Sequence, residues 1–187
     1  MIKSRPVYEK LRLDPAGRSH LIVTDMAHLP DEVIDSDLAV SDIEIWTVQV
    51  IAPGIQAAAS GETRAFRAVA DLLSNLSHRL SRDTVGLRLY AAGTEAFLWD
   101  VNNLGRAAGL GDGEIFLAQA GSLRRRVYCT HCKSMIEGVT TSIVKCWACG
   151  ANLFVRDHFS RRLAAFMGVA VDAEVPGEIP PAEVLYP

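Results

Sequence analysis

Two Cys-x-x-Cys pairs, thirteen residues apart, constrain this chain more than any other feature. Cys129-Thr-His-Cys132 and Cys146-Trp-Ala-Cys149 hold all 4 cysteines of the 187 residues. Four cysteines allow three disulfide pairings. The opening residues Met1 to Lys10, however, carry basic side chains with no apolar block behind them, unlike a secretory signal. That predicts a cytoplasmic, reducing setting, where such pairs serve metals or redox chemistry more often than staples. Two knuckles a hairpin's length apart can aim four thiolates at one tetrahedral centre, which is zinc-ribbon spacing. Cys129, Cys132, Cys146 and Cys149 are the candidate metal ligands. Zinc is the expected ion, with iron as the alternative, because a tetrahedron of sulfurs suits both. Rubredoxin-like iron loops place Gly after the second cysteine of each knuckle. Here Gly150 does so, but Lys133 stands in the other position. His131, inside the first knuckle, reads as an exposed histidine or one that only supports the ligands, rather than as a fifth ligand.

Charge divides the chain into zones. Residues 1–119 carry 11 Lys/Arg against 16 Asp/Glu, residues 120–168 carry 8 against 2, and residues 169–187 carry none against 4. A basic module between acidic zones suits a polyanion or an acidic protein surface. No apolar stretch reaches the roughly 18–20 residues of a membrane helix, so no membrane partner is expected.

Hydrophobic periodicity predicts an α/β arrangement ahead of the cysteines: a small Rossmann-like parallel sheet. Strands are expected at 20–24, 43–51 (closed by Pro53-Gly54), 85–91 and 114–118. Phe66, Val69, Ala70, Leu73, Leu76 and Leu80 mark a helix over about 62–80, and Phe97 to Ala108 mark another behind a Thr94 N-cap. Around the cysteines, strands are expected at 126–128, 140–144 and 153–155, with Glu137-Gly138 as a turn. A short helix over 160–167 is expected to stop at Gly168. The predicted domains are 1–121 (α/β), 122–168 (zinc ribbon) and 169–187, an extended acidic tail with half of the 8 prolines. The tail's interspersed Val171, Val175, Ile179, Val184, Leu185 and Tyr186 suit the groove of a partner, with mobility expected in its absence.

A parallel sheet invites a nucleotide at the carboxyl ends of its strands, at Thr24-Asp25, Pro53-Gly54 or Gly93-Thr94. The chain has no G-x-G-x-x-G and no Walker loop, and Gly109-Leu-Gly-Asp-Gly113 reads as a plain turn. There is no G-x-S-x-G or H-E-x-x-H, and every thiol is committed to the metal, so no catalytic or cofactor-binding residue is assigned.

Leu87 to Val101 resembles the late part of a ferredoxin-reductase nucleotide domain, with Ala92-Gly93-Thr94 where that domain has Cys-Gly-Pro. A second resemblance spans more of the chain. Tyr128-Cys-Thr-His-Cys132, Cys146-Trp-Ala-Cys149-Gly150, Asp157-His-Phe-Ser-Arg-Arg162, Phe166-Met-Gly168, Val171-Asp-Ala-Glu174 and the opening Ile2 to Tyr8 are similar to the small subunit of bacterial dimethylamine monooxygenases. That family implies a multi-subunit oxidoreductase that demethylates dimethylamine to methylamine and formaldehyde with NADPH and O2. Haem would sit on an oxygenase subunit, and flavin and an iron–sulfur cluster on a reductase subunit. This chain would then be a non-catalytic assembly or electron-path component.

Two other classes stand beside it. One is a rubredoxin-like electron carrier with iron in the four-cysteine site. The other is a nucleic-acid-binding zinc ribbon using Arg124-Arg-Arg126, Tyr128 and Trp147. The net charge of −3 and the 7% aromatic content speak against nucleic acid as a partner.

Overall fold

The computed structural model describes residues 5–35, 43–49, 63–83 and 85–187. They form two compact units, Tyr8–Gly121 and Ser122–Pro187, the second including residues 5–7.

The first unit opens with β1 (Leu11–Arg12), β2 (Ser19–Thr24), β3 (Ile34–Asp35) and β4 (Ile43–Val48). It continues with β5 (Thr63–Phe66), α1 (Val69–Leu80), β6 (Leu87–Gly93), α2 (Glu95–Ala107) and β7 (Ile115–Gln119). Five strands make one sheet in the order β5-β4-β2-β6-β7, every pair parallel. The chain steps outward from β2 to one edge, then returns past β2 to build the other. This winding creates a topological switch point between the carboxyl ends of β2 and β6.

β2 carries Leu21-Ile22-Val23 with every residue buried, as a strand covered on both faces must. Ile22, Tyr90, Ala92 and Ala118 form one face with Leu11, Leu13 and Val33 of the N-terminal segment. α2 packs on the opposite face, where Gly105 lets it approach so closely that a Cβ would press on Ile115 and Leu89.

The parallel sheet and its β6–α2–β7 crossover match the expected class, with one correction. The predicted helix over 62–80 begins only at Val69, and Thr63–Phe66 is an edge strand. Phe66 belongs to the Trp46 ring beside it, 5.1 Å away between centroids, with the Arg64 guanidinium over both rings. The helix buries Leu72, Leu76 and Leu80, a four-residue step that leaves Ala70 outside. Pro53-Gly54 and residues 50–51 of the expected strand lie outside the described residues.

The second unit contains β8 (Arg125–Cys129), β9 (Met135–Val139), β10 (Ile143–Lys145), β11 (Asn152–Ser160) and β12 (Ala165–Ala170). They form a five-stranded sheet in the order β10-β11-β12-β8-β9, antiparallel except for β12 against β8. Two expectations fail here. The helix over 160–167 is instead a turn with Ala164 at φ 50°, followed by the central strand β12. Gly168 is no helix stop. It sits where a side chain would collide with Val127 and Leu153 of the flanking strands. Glu137-Gly138 is likewise not a turn but lies inside β9, beside a register shift in its pairing with β8. No helix among the described residues is long and apolar enough to cross a membrane.

Candidate metal centre

The two knuckles are near copies of one another. In each, the amide of the first cysteine donates to the carbonyl five residues on: Cys129 to Ser134 at 2.9 Å, Cys146 to Ala151 at 2.8 Å. In each, the residue after the second cysteine donates back to the first cysteine's carbonyl, Lys133 to Cys129 and Gly150 to Cys146, both at 2.9 Å. Closing that turn needs a left-handed residue, and Lys133 (φ 71°) and Gly150 (φ 76°) both supply it. A side chain in that region costs about 1 kcal/mol. Lys133 therefore does not alter the knuckle; it reproduces the glycine's backbone. Its ammonium donates to the Thr130 carbonyl at 2.7 Å.

The four sulfurs lie within 4.8 Å of one another. Cys129 and Cys149 are 3.8 Å apart, and Cys132 and Cys146 are 3.6 Å apart. A tetrahedral ion bonded to sulfur at about 2.3 Å sets sulfurs about 3.8 Å from each other, so the cage fits a single ion. His131 stands apart from the group.

Hydrogen bonds prepare the thiols unequally. The Ser134 hydroxyl, 2.8 Å from Sγ, and the Ser134 amide hold Cys132 down at about 6. The amides of Cys149 and Ala148 lower Cys146 as well. At Cys149 the Ala151 amide pulls the same way, but burial and the other three sulfurs push the thiol up to about 12. Such a cluster gives up its last protons only to a cation. Sequence reasoning missed Ser134. Its position two residues past the second cysteine was the available signal.

The second candidate place is the switch point. There the Asp25 carboxylate, half-buried, accepts from the Thr94 amide at 3.2 Å and the Thr94 hydroxyl at 2.6 Å. The Thr94 hydroxyl donates to Asp25 instead of capping α2. Gly93, at φ 152°, gives the carboxylate room, since a Cβ there would overlap it. The anion seat at the start of α2, where a dinucleotide fold holds phosphate, is filled by the chain's own acid. Burial pushes this carboxyl above the usual range, against the pull of Thr94. The 109–113 segment is a turn between α2 and β7, as expected.

The three consecutive arginines do not form one patch. Arg125 is 5% exposed, its guanidinium 3.8 Å from the rings of both Phe166 and Tyr186, and it donates to Asp157 at 2.6 Å. Arg126 points to the other side of β8, where it donates to Glu137 at 2.6 Å.

Comparison with known proteins adds the decisive observation. The chain is 36% identical over 173 residues to the "heme-dependent oxidative N-demethylase delta subunit" of Ectopseudomonas mendocina (strain ymp), covering 92% of this chain and 91% of that one. Family models for the dimethylamine monooxygenase subunit DmmA-like proteins match at residues 48–115 (N-terminal domain) and 126–169 (C-terminal domain). The chain belongs to the DmmA-like family. Both knuckles fall within the DmmA-like C-terminal match. Among solved structures, phthalate dioxygenase reductase aligns at 10% identity with a TM-score of 0.39, over 67% of this chain and 45% of that one.

Proposed function

We propose that this DmmA-like chain is the small, non-catalytic subunit of a multi-component, NADPH- and O2-dependent monooxygenase that demethylates dimethylamine to methylamine and formaldehyde. Its partners in this reading are a haem-bearing oxygenase subunit and a reductase subunit with flavin and an iron–sulfur cluster. Its role is assembly, or passage of electrons between the two. The observation that carries the reading is the 36% identity, sustained over nine-tenths of both chains, to a subunit of a haem-dependent oxidative N-demethylase.

Cys129, Cys132, Cys146 and Cys149 are proposed to hold zinc, a closed four-thiolate site of the structural kind. The second reading is iron. The left-handed Lys133 favours it, because the knuckle backbone is then the same on both sides of the ion. The metal content and visible spectrum of anaerobically purified protein decide between them: zinc leaves it colourless, whereas ferric iron in four thiolates absorbs strongly.

The functional test is purification from the native host through a tag on this chain. Haem and flavin proteins should co-purify, and the assembly should oxidise NADPH when dimethylamine is added. A chain recovered without a haem protein would overturn the reading.

A further inference from the structure

One face of the second unit's sheet is apolar from edge to edge, and nothing in the metal site explains it. Strand register fixes the face. Ile143, Phe154 and Val169 stand side by side across β10, β11 and β12, and Met167, Tyr128 and Met135 across β12, β8 and β9. The buried residues Val127, Cys129, Leu153, Val155 and Phe166 occupy the alternate positions and form the opposite, core face. The apolar row is only partly covered, with Phe154 44% exposed. At the Met135 end lies Trp147, 74% exposed but pinned by its indole N–H to the Met135 carbonyl at 2.9 Å.

The charged side chains that the strands carry around this face are mostly basic. Lys133 stands over the Tyr128 ring at 5.8 Å, Lys145 continues the β10 row beyond Ile143, and Arg156 follows on β11. Residues 120–168 contain only 2 acidic side chains. Both are engaged with arginines: Glu137 with Arg126, Asp157 with Arg125. An apolar centre with a fixed aromatic and a charged rim is the make-up of a protein–protein interface. Tyr128, Phe154 and Trp147 would give bases rings to stack on, but Ile143, Val169, Met135 and Met167 fill the row between them with aliphatic surface, which suits an apolar protein partner.

We propose that this face docks the haem-bearing subunit of the demethylase, through a surface of that subunit that is apolar at its centre and acidic at its rim. The inference rests on the proposed function for the existence of that subunit, but not for the location of the contact.

The test uses the full chain and the haem-bearing partner, identified by its Soret absorbance. Phe154→Glu should weaken the association at least 10-fold, and Phe154→Ser should weaken it less. Lys145→Glu should weaken it more at low salt than at high salt, because rim charges act through a screened field. Metal content and melting temperature should match wild type, which separates a lost contact from a lost fold. If wild type binds and Phe154→Glu binds within two-fold of it at full metal content, the face is not the interface. A wild-type chain that dimerises while Phe154→Glu stays monomeric would place a second copy there and overturn the proposal. Single-stranded DNA binding lost in Phe154→Glu would overturn it too. If wild type binds no haem subunit at all, the functional reading itself falls.

Discussion

Three thiols of the cage, Cys132, Cys146 and Cys149, are adjusted by different neighbours, so these three are not interchangeable in how they reach a metal-bound state. Cys132 is already eased toward thiolate by Ser134, whereas Cys149 is pushed up by burial and by the other three sulfurs. Cys149→Ser should leave three thiolates and a hydroxyl that cannot close the tetrahedron. Because binding energy in a small metal module is also folding energy, residues near 124–168 should become protease-sensitive as the metal is lost. Stoichiometric metal with intact protease resistance in Cys149→Ser would show that the four-cysteine assignment is wrong. Asp25 makes a second prediction at this scale. A carboxyl raised in the folded state binds its proton more tightly folded than unfolded, so its contribution is largest at low pH and is lost as pH rises through the raised value. An asparagine amide at this position would not titrate, while its oxygen could still accept from Thr94. Asp25→Asn should therefore gain stability relative to wild type as pH rises from about 4 toward neutrality. Thermal melts of both proteins across that range check it, and a pH-independent difference would refute it.

At the scale of elements, the C-terminal segment divides: residues 173–182 are exposed, and the last five residues are held by the chain itself. Residues 183–187 lie along their own unit. Ser142 donates to the Glu183 carbonyl at 2.8 Å, Tyr186 to the Thr140 carbonyl at 2.9 Å, and Leu123 to the Pro187 carbonyl at 2.9 Å. Tyr186 is buried, completing the stack on Arg125. Tyr186→Ala should cost about 2–4 kcal/mol, from a lost aromatic contact and an exposed guanidinium. Calorimetric melting of the full chain measures that cost; an unchanged melting temperature would mean the segment is not part of the unit's core. That this end pairs with its own unit was not legible in the sequence, for a physical reason. Proline and acid content report that a segment cannot join a regular ladder, but not that its last few residues can still pair with a nearby stretch of chain. The same limit explains β12: Leu-Ala-Ala-Phe-Met has helical composition, yet a central position between β8 and β11 outweighs propensity. By contrast, the four-cysteine cage was legible because ligand spacing is a local property. So were the β2, β6 and β7 strands, whose apolar runs leave little choice. The exposed sheet face was not legible, since it depends on register between strands far apart in sequence.

At the scale of the whole molecule, an α/β unit with dinucleotide-fold winding belongs to a family whose relative is an oxidative N-demethylase subunit, and this raises the question of where reducing equivalents enter. In a nucleotide-binding sheet the switch point offers free amides at a helix start and glycines that admit a pyrophosphate. Here the corresponding amide, on Thr94, is bonded to Asp25, and Gly93 makes room for that carboxylate. A dinucleotide phosphate would have to displace a half-buried acid and then face the charge it displaced. The field of the surrounding sequence adds to the obstacle, since residues 1–119 carry five more acidic than basic side chains. The isolated chain should therefore bind NADPH no more tightly than millimolar by titration calorimetry. Asp25→Ala, which empties the seat, should bind inorganic phosphate better than wild type. Micromolar NADPH affinity in the wild-type chain alone would contradict this account and make Gly93 and Thr94 cofactor ligands in their own right.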